Sequence, residues 1–141
     1  MRGFLLDTNG ISELVRPKPD PRVVEWMESA DESQLYLSVL TLGEIRKGVA
    51  ELVHGRRRAN LEAWLDVELQ GRFRERILPI DAAIADQWGQ LTATAKRKGK
   101  TLPVIDGLLA ATALHYNLTV VTRNASDLMN AQVQVLNPWQ A

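Results

Sequence analysis

Short apolar runs alternate along this chain with longer stretches of helical periodicity, and that alternation limits the possible folds more than any other feature. Phe4-Leu5-Leu6, Leu35-Tyr36-Leu37-Ser38-Val39, Ile77-Leu78-Pro79-Ile80, Leu118-Thr119-Val120-Val121-Thr122 and Val133-Gln134-Val135-Leu136 read as strands. Pro79 puts the third of these at a sheet edge or a strand end, because proline cannot donate to a ladder. Between them, residues 21–30, 41 to about 53, 56–74, 82–98 and 105–116 carry apolar side chains at helical spacing. Pro21 suits a first helical position. The 105–116 stretch is nearly all apolar or small, which predicts a buried helix. Strands joined by helices predict βαβ units, a parallel sheet and helices on both of its faces. In such a sheet a ligand site lies beyond the carboxyl ends of the strands.

Composition narrows the chemistry. The 141 residues fit one domain, taken here as 1–141. With no cysteine, disulfide scaffolds, thiolate zinc sites, iron–sulfur clusters and cysteine nucleophiles are excluded. The two histidines, His54 and His115, fall late in helical stretches and read as structural. Lys and Arg total 17 against 17 Asp and Glu, so any nucleic-acid-binding surface must be local. No apolar run approaches the roughly 20 residues of a membrane span, and the first residues do not form a secretory signal. The expectation is a cytoplasmic protein without a membrane partner.

Acidic residues recur where strands end. Asp7 directly follows Phe4-Leu5-Leu6, Glu44 follows the second run by a helical turn, and Asp106 opens the buried helix. Asn124 and Asp127 follow the fourth run. Each also has a bland reading. Asp7 fits a helix N-cap, Thr41-Leu42-Gly43-Glu44 fits a capping box, Asp106 suits a helix dipole, and Asp127 fits a cap. Asp81 reads as an N-cap and nothing more. Carboxylates brought together repel one another and raise each other's pKa values, which a bound cation relieves. Oxygen ligands alone select Mg²⁺ or Mn²⁺ over zinc. Such an ion can polarise a phosphoryl group and activate water, so the chemistry implied is phosphodiester hydrolysis.

These motifs resemble those of PIN-domain nucleases. Asp7-Thr8-Asn9 is similar to the family's opening motif and Ser38-Val39-Leu40-Thr41-Leu42-Gly43-Glu44-Ile45 to its second. Asp106-Gly107-Leu108-Leu109-Ala110-Ala111-Thr112-Ala113 is similar to the third and Val121-Thr122-Arg123-Asn124-Ala125-Ser126-Asp127-Leu128 to the fourth. The likeness spans the chain, in order, and is strongest toward VapC- and FitB-type toxins of bacterial toxin–antitoxin pairs. It implies a three-layer α/β/α PIN-like fold around a mostly parallel sheet of about five strands. It also implies a Mg²⁺- or Mn²⁺-dependent endoribonuclease. Asp7, Glu44 and Asp106 match the core catalytic and metal-binding acids. The fourth is Asn124 or Asp127, with the charged Asp127 favoured. Leu128 stands where many relatives carry an aromatic. Thr8, Asn9, Thr122 and Asn124 are expected to orient carboxylates or water.

The resemblance further implies a small cognate antitoxin, a homodimer, and a heterotetramer or larger assembly with that antitoxin. Operator DNA would be reached only through the antitoxin. An exposed apolar stripe between residues 41 and 74, including Trp64, is expected to receive a partner. The tryptophans could stack on bases but read rather as core or interface, and Asn137-Pro138-Trp139 as a tie at the end of the last strand. Of the basic residues, Arg123, Lys96 and Lys100 are the candidates for phosphate contacts; Arg56-Arg57-Arg58 reads as a polar helix–helix turn. Two other readings stand beside the ribonuclease. A haloacid-dehalogenase-like phosphatase also places an Asp after its first strand, but it needs another where Asn9 stands. A non-enzymatic regulatory module would use the acids only as caps and act through its antitoxin partner.

Overall fold

The computed structural model describes residues 3–129 and 131–140; the side chains of Asp127 and Met129 lie outside that description. Five parallel strands form one sheet in the order β3-β2-β1-β4-β5. The strands are β1 (Gly3–Leu6), β2 (Leu35–Ser38), β3 (Ile77–Leu78), β4 (Leu118–Val121) and β5 (Val135–Leu136). β3 is an edge strand that stops just before Pro79, as the ring requires. β3 and β5 are shorter than their apolar runs because only two residues of each pair with a neighbour. Successive strand residues point to opposite faces, and both faces are buried. Leu6 and Val121 enter one core with Ile11, Val23, Ile45, Leu65 and Phe73. Leu5 and Val120 enter the other with Ala95, Leu109, Ala113 and Leu128. Two cores on two faces make the expected three layers.

Helices α1 (Thr8–Glu13) and α2 (Pro21–Ser29) follow β1, and α3 (Val39–Ala50) follows β2 without a loop. Pro21 opens α2 behind an Asp20 cap. The 56–74 stretch is not one α-helix. It divides into α4 (Arg56–Ala63), a π-helical turn (Trp64–Leu69) and a short α5 (Gln70–Arg72). Arg56-Arg57-Arg58 therefore begins a helix, and Arg58 reaches back to the Leu52 carbonyl at 3.1 Å. Helix α6 (Ala82–Arg97) is capped by Asp81, whose carboxylate accepts from the Ile84 amide at 3.0 Å. Helix α7 (Val104–Tyr116) is the buried helix and ends at Asn117, in the left-handed conformation common at helix ends. Helix α8 (Ala125–Met129) precedes β5, and a 3₁₀ turn (Pro138–Gln140) closes the described chain. No helix among the described residues is long and apolar enough to cross a membrane.

Candidate active site

Strand order creates the site. The chain builds β2 and β3 on one side of β1, then returns to lay β4 on the other. Where such a sheet reverses direction, the loops after the two neighbouring strands part and leave a crevice. Asp7 leaves β1 and Thr122 leaves β4 at that point, and the Asp7 amide donates to the Val121 carbonyl at 3.1 Å. Thr122 Oγ1 donates to Asp7 Oδ2 at 2.5 Å and accepts from the Asn124 amide at 3.0 Å. Asp7 Oδ1 accepts from the Gly10 amide at 2.8 Å, so this carboxylate does cap α1. Its two roles are compatible because each oxygen has more than one lone pair.

Asp7 is 7% exposed. Burial pushes its carboxyl pKa up, the Thr122 hydroxyl and Gly10 amide pull it down, and the charges of Asp106 and Glu44 push it up again; the net direction is up. The carboxylates of α3 and α7 thus act on Asp7 across the crevice. Asp106 lies half-buried in the first turn of α7, behind Pro103 rather than at the cap position itself. Glu44 is exposed on α3, and its Oε1 accepts from Thr8 Oγ1 at 2.5 Å. Among the described residues, no three His, Cys, Asp or Glu side chains stand close enough to form a ready metal cage.

The capping-box reading of Glu44 is corrected by the structure. Helix α3 starts at Val39 instead of Thr41, because the fully buried Ser38 accepts from the Leu40 amide at 3.1 Å and caps it. Thr41 is buried inside the helix, its hydroxyl without a hydrogen-bond partner among the described residues. Glu44 is freed to meet Thr8 instead. The helix also ends at Ala50, short of Val53, which is exposed.

The remaining candidates fall at varied places. Asn9 and Asn124 are exposed beside Asp7 and Thr122. Asp127 lies within α8, so the cap reading does not apply to it; its side chain is outside the described residues. Arg123 is exposed, with its guanidinium 5.7 Å from the Trp139 ring centroid. It also adds to the electrostatics of Asp20, whose carboxyl is held at about 2 mainly by Arg22. Lys96 is exposed in the last turn of α6, and Lys100 is exposed just beyond its end. His115 packs edge-on against Tyr116 in the last turn of α7, a structural role.

Glu13, which no motif marks, is a further buried acid. It is 3% exposed and accepts from the Asp20 amide at 2.8 Å and from Arg16 at 3.1 Å. In the sequence it is only an acid three residues before an arginine, at the end of a short helix, too common a pattern to single out. A groove beside Glu44 is lined by Ser12, Val15, Ile45, Val49, Leu61 and Trp64, so part of the expected apolar stripe is a concave surface.

Residues 4–128 match the PIN domain family model. Toxin FitB of Neisseria gonorrhoeae is 43% identical over 136 residues, covering 96% of this chain and 98% of that protein. VapC ribonuclease Y4jK of Sinorhizobium fredii is 37% identical over 137 residues, covering 97% and 98%. Among solved structures, a FitAB complex bound to an IR36 DNA fragment contains a chain 41% identical to this one. It superposes with a TM-score of 0.92 over 96% of this chain and 95% of that one.

Proposed function

The chain belongs to the PIN-domain family, and from that premise we propose that it is the toxin of a toxin–antitoxin pair that hydrolyses RNA phosphodiester bonds. The observation that carries this reading is the state of Asp7. Its carboxyl is buried where β1 and β4 part, and is pushed up by burial and by facing Asp106 and Glu44. Capping α1 accounts for one oxygen of this carboxylate, and a bound cation would relieve the charge conflict with Asp106 and Glu44.

The residues fit a hard divalent ion. The donors are carboxylate and hydroxyl oxygens, with no cysteine in the chain. Asp7, Glu44 and Asp106, with Asp127 as the fourth acid, would hold Mg²⁺ or Mn²⁺. When bound, such an ion supplies phosphoryl polarisation and an activated water for in-line attack. The chain's own groups prepare the site. Thr122 and the Gly10 amide lock the Asp7 carboxylate in one orientation. Thr8, the first residue of α1, ties Glu44 of α3 to the same helix that Asp7 caps. Arg123, Lys96 and Lys100 would supply positive charge to a phosphate backbone, so binding should weaken with salt. Nothing in this arrangement calls on a 2′-hydroxyl. The choice of RNA rests on the relative named a ribonuclease, and loops or single strands are the expected targets because duplex RNA hides its bases.

The toxin assignment draws on the relative named FitB and on the DNA-bound FitAB complex. For this chain it means a small antitoxin, with operator DNA contacted through that partner, and a homodimer as the toxin's own assembly. The groove between α1, α3 and the α4–π segment is the surface for the antitoxin, since it is apolar and reaches Glu44. The phosphatase reading loses its ground, because Asn9 lacks the second carboxylate and the chain matches another family throughout. The test is expression with and without the antitoxin, with mapping of RNA ends. Wild-type chain alone should arrest growth and generate new RNA ends, and Asp7→Asn should do neither. Cleavage retained at full rate by Asp7→Asn would overturn the assignment; a regulatory module would bind antitoxin but cut nothing in either form.

A further inference from the structure

The match to the family model ends at residue 128, yet the segment after it closes on the site. Three contacts join them. The Thr122 amide donates to the Leu136 carbonyl at 3.0 Å. Asn137 Nδ2 donates to the Arg123 carbonyl at 3.4 Å, while Asn137 Oδ1 accepts from the Trp139 amide at 2.9 Å. The Arg123 guanidinium then lies over the Trp139 ring.

Trp139 is 6% exposed and sits in the core with Leu6, Ile11, Val23 and Met27. Its side chain also interacts with the carboxylate of Glu13. Glu13 is the last residue of α1, a helix of six residues whose cap is Asp7. A closed ring of contacts results. It runs from Asp7 through α1 to Glu13, across to Trp139, on to Arg123, back one residue to Thr122, and from the Thr122 hydroxyl to Asp7.

We propose that Trp139 is a positioning residue: seated between Glu13 and Arg123, it holds the end of α1 and the loop after β4 at the separation that lets Thr122 donate to Asp7. The physical reason is that neither segment is rigid alone. A six-residue helix is too short to hold its own orientation. The loop after β4 must be fixed on both sides if a 2.5 Å hydrogen bond is to persist. The Trp139 ring, in one core with Ile11 of α1 and beneath the Arg123 guanidinium, supplies that constraint through packing and through its contact with Glu13.

The proposal rests on Asp7 as the working carboxylate, but its test does not depend on cleavage. Amide hydrogen exchange is measured in the free full chain at Gly10 and Asn124, whose N–H groups donate to Asp7 and Thr122. The variants are Trp139→Leu, Trp139→Phe and, as a control, Leu109→Ala in the core on the opposite face. Trp139→Leu should speed exchange at both amides about tenfold or more relative to the control at matched stability. Trp139→Phe should fall between, since it keeps a ring under Arg123 and loses the indole N–H. Mn²⁺ affinity should drop roughly 10–100-fold in Trp139→Leu. If Trp139→Leu does not fold, the phenylalanine variant decides alone. Protection at Gly10 and Asn124 that follows global stability in the Trp139 variants as it does in the control would overturn the proposal. Loss of cleavage in Asp7→Asn alongside such unchanged protection would sink this inference alone. Unimpaired cleavage in Asp7→Asn would instead sink Asp7 as the working carboxylate and leave the positioning result standing.

Discussion

Asp7 carries a structural and a chemical demand on the same side chain. Its Oδ1 satisfies a helix N-terminus, and its Oδ2 receives the Thr122 hydroxyl. Both hydrogen bonds favour the charged form, yet burial, Asp106 and Glu44 outweigh them and the pKa rises above 3.8. A carboxyl raised in the folded state contributes its stability fully below the unfolded pKa and loses it as pH climbs through the folded value. Asp7→Asn has no such loss. In metal-free protein, the Tm of Asp7→Asn minus that of wild type should therefore grow as pH rises from about 4 to 7. Thermal melts across that range check it, and a difference that stays flat or shrinks would contradict the assigned electrostatics. Adding Mn²⁺ should raise the wild-type Tm more than that of the variant.

The elements differ from their sequence patterns where side chains chose between partners. Ser38 and Thr41 both offered a hydroxyl to start α3, and Ser38 prevailed because β2 delivers it, fully buried, to the helix start. Replacing it by alanine should leave the Leu40 amide short of an acceptor and cost about 1 kcal/mol in urea unfolding, whereas Thr41→Ala should disturb no cap. Equal loss from both would restore the capping box. The helical period in residues 56–74 was legible, but the π turn was not. Periodicity reports which face is buried and does not register one extra residue per turn. Strand ends were less legible still. Val133 is buried and apolar without belonging to β5, because pairing with β4 begins only at Val135. Asp81 was readable as a cap from its place alone, since it precedes a long helix and follows an edge strand.

At the scale of the whole molecule, one sheet separates two apolar cores that share its strands. Leu5 and Leu6 are neighbours in sequence and belong to different cores. One cooperative unit should result. Ile45→Val on one face should cost about 0.5–1.5 kcal/mol and Leu109→Ala on the other about 2–5 kcal/mol. Their effects should add to within about 0.5 kcal/mol, each shifting a single transition. Two separable transitions in urea would show that the faces unfold independently.

What the sequence determined by itself was local: an apolar run that ends in Asp7, a helix that begins near Asp106, a Thr122 and an Arg123 after a β-branched run. Alternation of periods was enough to specify an α/β chain, because burial on one or two faces leaves its mark on adjacent residues. What tertiary structure decided was adjacency. Thr122 reaches Asp7 across 115 positions because β4 pairs with β1. Trp139 closes on Glu13 because the last strand falls in beside β4. Strand order arises from hydrogen bonding and packing between distant segments, and those energies leave no periodic trace in the residues that supply them.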